Sequence, residues 1–203
     1  MGFDQLASEE QINRAVEALT ANGFSVEVLP SGEAAKQRVL ELLPEQAEVM
    51  NMTSVTLETI GVAKEILESG RYDAVRNRFK TLDAKTQASE KRKLGAGPDW
   101  ALGSVHAVTE DGKVIIASAT GSQLPAYLYG AGRVIWVVGT QKIVKDLEEG
   151  KKRVYEYVLP LESERARQAY GGAGSSVNKL AIIHKEGSAG RITLLLVKER
   201  LGF

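Results

Sequence analysis

Two apolar runs that each end in a glycine constrain this chain more than any other feature. They are Lys113-Val-Ile-Ile-Ala-Ser-Ala-Thr-Gly-Ser-Gln-Leu-Pro-Ala126 and Arg133-Val-Ile-Trp-Val-Val-Gly-Thr-Gln-Lys142. Both runs are β-branched and continuously apolar, as in strands buried on two faces, and each leads into a segment compatible with a helix. In sheets of that kind the ligand sits beyond the carboxyl ends of the strands. A helix opening there aims unpaired N–H groups and the positive end of its dipole at the same edge, which suits an anion.

The rest of the chain supplies the alternating elements of an α/β fold. Ser8-Glu-Glu-Gln11 has the form of a capping box, followed at helical spacing by Ile12, Val16 and Leu19, with a stop at Asn22-Gly23. Phe24, Val26 and Val28 alternate as a half-buried strand up to Pro30. Ser31 caps a second helix that buries Ala35, Val39 and Leu43 and ends before Pro44. A strand from Ala47 to Met52 then ends in the polar loop Asn51-Met-Thr-Ser54, and Leu57, Ile60, Ala63 and Leu67 predict one helix running to Ser69-Gly70. Gly61 falls inside that helix, where glycine costs about 1 kcal/mol, so close packing or a ligand is expected to require it.

Arg71 to Lys93 is the most polar stretch, and residues 71–95 are expected to form an exposed helical excursion, dispensable for folding. Its aromatic content, Tyr72 and Phe79, is too sparse for a base-stacking surface. Trp100 to Thr109 and Lys113 to Ala119 flank Glu110-Asp-Gly112, a hairpin signal that makes the sheet mixed. Ile143, Val144 and Leu147 predict a helix after the second glycine turn, and Val154, Tyr157, Val158 and Leu161 a further amphipathic stretch. Lys179 to His184 and Arg191 to Val197 are expected to pair as a closing hairpin.

Candidate site residues gather at the turns. Thr120, Gly121, Ser122 and Gln123 are expected to converge with Gly139, Thr140 and Lys142 on one pocket, with Asn51, Thr53 and Ser54 on its rim. Gly121 and Gly139 would permit close backbone approach, and Ser122 and Thr140 would cap their helices or donate to a ligand. Lys142 in the first turn of a helix opposes the dipole unless an anion lies nearby. The loop Gly171-Gly-Ala-Gly174 offers Gly172 and Gly174 as a backbone cradle but lacks the ending of a P-loop. His106, Glu58 and Glu110 are the acid–base candidates, with helix capping the competing role for Glu58 and a core or surface role the competing one for His106.

Composition narrows the partners. The chain has 203 residues with 26 basic and 26 acidic side chains, which suits a single domain and disfavours nucleic acid or an anionic membrane surface as a partner. It contains no cysteine, which excludes disulfides, thiolate cluster ligation and a thiol nucleophile. Neither a membrane-spanning run nor a signal peptide is evident, so a cytoplasmic protein is expected, with no metal and no intrinsic cofactor.

The segments Gly97 to Gly112, Ala117-Ser-Ala-Thr-Gly-Ser-Gln-Leu-Pro125 and Val138-Gly-Thr-Gln-Lys-Ile-Val144 together resemble the LUD-domain family of lactate utilization proteins. Thr53-Ser-Val-Thr-Leu-Glu-Thr-Ile-Gly61 resembles an earlier motif of that family, and the likeness runs from about Glu48 to Val197. It implies a three-layer α/β/α sandwich of the NagB, RpiA and CoA-transferase type over residues 1–203. It also implies a small-anion binding component, accessory or catalytic, of L-lactate oxidation to pyruvate, working beside iron–sulfur oxidoreductase subunits. Its ligand would be a carboxylate or phosphate. The alternatives are a non-catalytic ligand-sensing or assembly protein, or a sugar-phosphate, CoA or folate-type enzyme of the same superfamily.

Overall fold

The structure, a computed structural model, describes residues 2–83 and 85–203; Met1 of the expected domain and Ala84 of the expected excursion lie outside them. Helix α1 (Glu9–Ala21) opens on Ser8 with the capping box closed in both directions and buries Ile12, Ala15 and Leu19. It leads to β1 (Ser25–Leu29), α2 (Gly32–Leu42, capped by Ser31) and β2 (Glu48–Asn51). The single helix expected next is two, α3 (Val55–Thr59) and α4 (Val62–Glu68), broken at Gly61. Gly61 has φ +74°, a left-handed conformation that ends one helix and starts the next, and this accounts for the glycine where close packing was expected.

The polar stretch is more integrated than its composition suggests. β3 (Asp73–Ala74) pairs with β2, and Tyr72, Ala74 and Val75 are buried. Only then come the short helices α5 (Val75–Phe79) and α6 (Ala88–Ala96).

The run 100–109, expected to be one strand, divides between two sheets. β4 (Trp100–Gly103) lies between β2 and the later β7 (Arg133–Gly139), parallel to both. β5 (Ala107–Thr109) instead forms the expected hairpin with β6 (Val114–Ser118) across Gly112, whose φ is +79°. β6 runs into a π-helical segment, Ala126–Gly130, before β7. After β7 a single 3₁₀ turn, Thr140–Lys142, leads to β8 (Ile143–Val144), which pairs with β5. The helix expected from Ile143 is therefore a strand at its start, and α7 (Leu147–Lys152) begins only after the Asp146 cap.

α7 passes through a π-helical segment, Arg153–Val158, into α8 (Leu159–Tyr170). Pro160 supplies no N–H to the turn before it, which favours the wider π spacing there. The last two strands, β9 (Lys179–Ile183) and β10 (Ile192–Val197), do not form the expected hairpin. β9 pairs antiparallel with β6, whereas β10 enters the main sheet between β1 and β7.

The main sheet has the order β1-β10-β7-β4-β2-β3 and every pairing in it is parallel; the second has the order β8-β5-β6-β9. Period-2 alternation sorts the core. Ile135, Val137, Leu195 and Val197 pack on the side of α2, α3 and α4. Val134, Trp136, Val138, Leu194 and Leu196 pack on the side of α1, where Val108, Val114 and Ile116 of the second sheet meet them. Ala107, Ile115 and Val144 on the far face of the second sheet join Val154 from the helical run that follows α7. A mostly parallel sheet flanked by helices is the expected α/β architecture, here with a second sheet wedged into one layer.

Burial grades the expected cost of truncation. Leu194 on central β10 is fully buried, so Leu194→Ala is expected to lower stability by about 2–5 kcal/mol. Val28 on edge strand β1 is 38% exposed, and Val28→Ala is expected to cost under about 1 kcal/mol. Urea denaturation of both variants measures the difference.

Candidate functional site

A cavity of about 600 Å³ opens where the two sheets part, beyond the carboxyl ends of β2, β4 and β6. Its floor and walls come from Met52 to Thr56, Ser104 to His106, Ala117 to Thr120, Ser122, Gln123 and Lys142, with α8 and residues 174–177 opposite. Gly103 allows the chain to cross between the sheets here, because a Cβ at that position would meet the Tyr127 hydroxyl and lie 2.9 Å from its Cζ. Tyr127 is in turn held edge-on by Trp136, with ring centroids 5.4 Å apart.

Lys142 is the central charged group. Its side chain is 2% exposed, and its Nζ donates to Thr56 Oγ1 at 3.2 Å and Ser104 Oγ at 3.1 Å. The Thr56 hydroxyl in turn donates to the Leu201 carbonyl at 3.1 Å. Among the described residues no carboxylate pairs with Lys142. Burial pushes the ammonium down to about 7, and the nearby Arg153 guanidinium pushes in the same direction. Buried charges in proteins are ordinarily paired, so this arrangement is electrostatically incomplete.

Arg153 and His106 extend that imbalance. Arg153 is fully buried, donates one Nη1–H to the His106 carbonyl at 2.5 Å, and leaves Nε and Nη2 without partners. Burial lowers its guanidinium to about 10, so it stays charged at neutral pH. The His106 imidazole is pushed down to about 3, first by burial and then by Lys142 and Arg153. It is therefore neutral, and its tautomer is fixed: Nδ1 accepts from the Ala117 N–H at 3.1 Å, which places the proton on Nε2. The side chain lines the cavity with Nε2–H as its remaining donor.

The outer walls are basic as well. Arg76, Lys91 and Arg165 line the cavity against one acidic side chain, Glu162, which Arg165 engages through Nε at 2.7 Å and Nη2 at 2.6 Å. Arg76 donates to Thr53 Oγ1 at 3.1 Å, and the Lys91 ammonium lies 5.2 Å from the centre of the Phe79 ring. The segment expected to be a dispensable excursion thus supplies Arg76, Phe79 and Lys91 to the wall. A chain with no net formal charge concentrates cations in this one hollow.

The structure brings together only part of the expected set. Thr53, Ser54, His106, Thr120, Ser122, Gln123, Lys142 and Gly174 share the cavity. Thr120 Oγ1 donates to Ser122 Oγ at 3.1 Å, and Ser118 Oγ receives the Gly121 N–H at 2.8 Å, so Gly121, with φ +85°, turns this loop without lining it. Asn51 and Thr140 are fully buried and outside the cavity lining, with Asn51 Nδ2 and Oδ1 and Thr140 Oγ1 lacking partners. Gly139 meets the chain's own backbone: a Cβ there would stand 2.6 Å from the Glu199 carbonyl oxygen. Gly172 is an exposed turn residue with φ +82°.

The two carboxylates lie elsewhere. Glu58 is exposed on α3. Glu110 sits at the β5–β6 turn, where Arg14 Nε donates to it at 2.7 Å and Gln11 Nε2 at 3.0 Å. Burial draws the Glu110 carboxyl upward, but those bonds outweigh it and hold the carboxyl below its usual range. Two premises about the turns also change. The Thr120 and Lys142 turns follow strands of different sheets, β6 being antiparallel to its neighbours, and Lys142 stands in a 3₁₀ turn ahead of a strand. They meet because the sheets abut. The residues that reading the sequence missed are Thr56, Ser104, Tyr127, Arg153 and Arg165; only Arg153, a cation beside the apolar series Val154 and Val158, left a trace in the pattern.

A model of the LUD domain matches residues 12–197. Among curated proteins none matches the chain. Among solved structures, a DUF162 family protein from Deinococcus radiodurans aligns with a TM-score of 0.60 at 14% identity, over 95% of this chain and 99% of that one, a likeness of fold. A D-ribose-5-phosphate isomerase in complex with phospho-erythronic acid aligns at 16% identity over 64% of this chain and 65% of its own, with a TM-score of 0.37. The ribose 5-phosphate isomerase of Plasmodium falciparum aligns at 9% identity over 79% and 80%, with a TM-score of 0.36. The last two likenesses are too slight to carry an argument.

Removing the buried ammonium has a signed consequence. Lys142 titrates near 7 in the folded chain and about 10.4 when unfolded. Between those values the unfolded chain binds more protons, so this residue makes stability rise with pH; below about 7 its full desolvation cost is present. Lys142→Met is expected to raise the melting temperature most at about pH 6, with the gain shrinking toward about pH 10. Differential scanning fluorimetry across that range reads the effect.

Proposed function

Because the chain belongs to the LUD domain family, we propose that the cavity binds a small carboxylate of the 2-hydroxy or 2-oxo acid class and that the protein serves the oxidation of L-lactate to pyruvate. The observation that carries this reading is the Lys142 ammonium, buried on hydroxyls alone beside a second cation. An anion entering the cavity supplies the missing charge. It would receive hydrogen bonds from Lys142 and from His106 Nε2–H, while Arg76, Lys91 and Arg165 draw it inward through their field.

The same cations suit a phosphate, and the volume of about 600 Å³ has room beyond a three-carbon acid. Longer or phosphorylated hydroxy acids are therefore the second ligand class. With no cysteine in the chain, thiolate-held iron–sulfur clusters must belong to another subunit. In this reading the protein holds substrate or product, and electrons leave through an iron–sulfur oxidoreductase partner.

Ligand linkage tests the proposal. Lactate, pyruvate or inorganic phosphate at about 100 times its dissociation constant is expected to add about 2.7 kcal/mol of stability. Lys142→Met is expected to weaken that ligand at least about tenfold, the scale of a lost charge-assisted hydrogen bond. The affinity of the parent protein is expected to fall as pH rises through about 7, since Lys142 loses its charge there. Calorimetric titrations that show no binding of any of the three, or equal binding by the variant, would defeat the reading.

A further inference from the structure

Resting on the reading that the cavity holds a 2-oxo acid, we propose that Lys142 is a nucleophile that condenses with the ligand's carbonyl to form an imine. The geometry at Nζ carries the inference. The Thr56 hydroxyl donates its hydrogen bond to the Leu201 carbonyl, so its oxygen accepts from Nζ. Ser104 Oγ lies 3.1 Å from Nζ and accepts the second N–H. A neutral primary amine has two N–H bonds, and both are committed to hydroxyls. The lone pair is the one position on the nitrogen without a protein partner, in a side chain that lines the cavity.

The surroundings bring the neutral amine into reach at neutral pH, where it exists beside the ammonium. The charged group acting on Lys142 is Arg153, while His106 beside it is neutral, and among the described residues no side-chain carboxylate pairs with the ammonium. Desolvation with a neighbouring cation is a known way to activate a lysine. His106 supplies the electrophilic side: a neutral imidazole with its proton on Nε2 polarises a carbonyl without protonating the amine beside it.

The step balances without an oxidant or reductant. The Nζ lone pair forms a C–N bond while the carbonyl π pair moves onto oxygen, and one proton passes from nitrogen to that oxygen to give a carbinolamine. Uptake of a proton from solvent releases the hydroxyl as water and leaves a protonated imine. The same intermediate forms with any 2-oxo acid the cavity admits.

Reductive trapping tests it on the whole chain. Pyruvate followed by cyanoborohydride is expected to leave one carboxyethyl group per chain, mapped to Lys142 by peptide mass spectrometry. At saturating pyruvate its rate of formation is expected to rise with pH through about 7 and then level, whereas surface lysines react only toward about pH 10. Adduct spread over surface lysines without preference for Lys142 overturns the proposal. Absence of adduct while pyruvate still raises the melting temperature overturns the imine and leaves anion binding standing. Absence of both defeats the binding reading on which the imine rests.

Discussion

The passage of one extended run from the main sheet to the second, at Gly103-Ser-Val-His106, is the constraint on which the cavity depends. β4 ends in the parallel sheet and β5 begins in the mixed one, so the residues between them have no full complement of strand neighbours. That gap is filled by side chains. Tyr127 occupies the space above Gly103, Arg153 grips the His106 carbonyl, and Ser104 turns its hydroxyl to Lys142. Had the run continued straight, Ser104 to His106 would have been ladder residues with their backbone groups paired to neighbouring strands.

Polarity inside this gap is expensive, and the expense is not balanced locally. Lys142 and Arg153 are like charges in a poorly solvated region, and the buried hydroxyls around Lys142 solvate it only in part. Apolar residues of similar volume would be expected to make a more stable fold. A site tuned this way is characteristic of function, since activity and stability trade against each other where charge must be held ready. The neutral His106 fits the same logic. The two cations that destabilise its protonated form keep it a donor through Nε2 at any pH near neutrality.

The apolar pattern made most of the secondary structure legible. The capping box at Ser8, the Ser31 cap, the β7 run and the Asp-Gly hairpin are local events, decided by residues within a few positions of one another. Errors arose where two outcomes cost the same locally. Ile143-Val144 suits a helix start or a strand, and pairing with β5 selected the strand. The spacing of β9 and β10 suits a hairpin, but β10, apolar at every position except Thr193, is buried between β1 and β7.

The sequence by itself determined the class of fold, the two glycine-ended strands whose following residues line the cavity, and Lys142 as the residue to watch, because those follow from periodicity and chain direction. Only the tertiary structure decided which polar groups share a cavity. Thr56, Ser104 and the helical run that carries Arg153 and Arg165 lie far apart along the chain with no common motif, and Glu110 was removed from contention by a partner on α1. Convergence of this kind depends on how two sheets abut, a long-range packing outcome that no local spacing encodes.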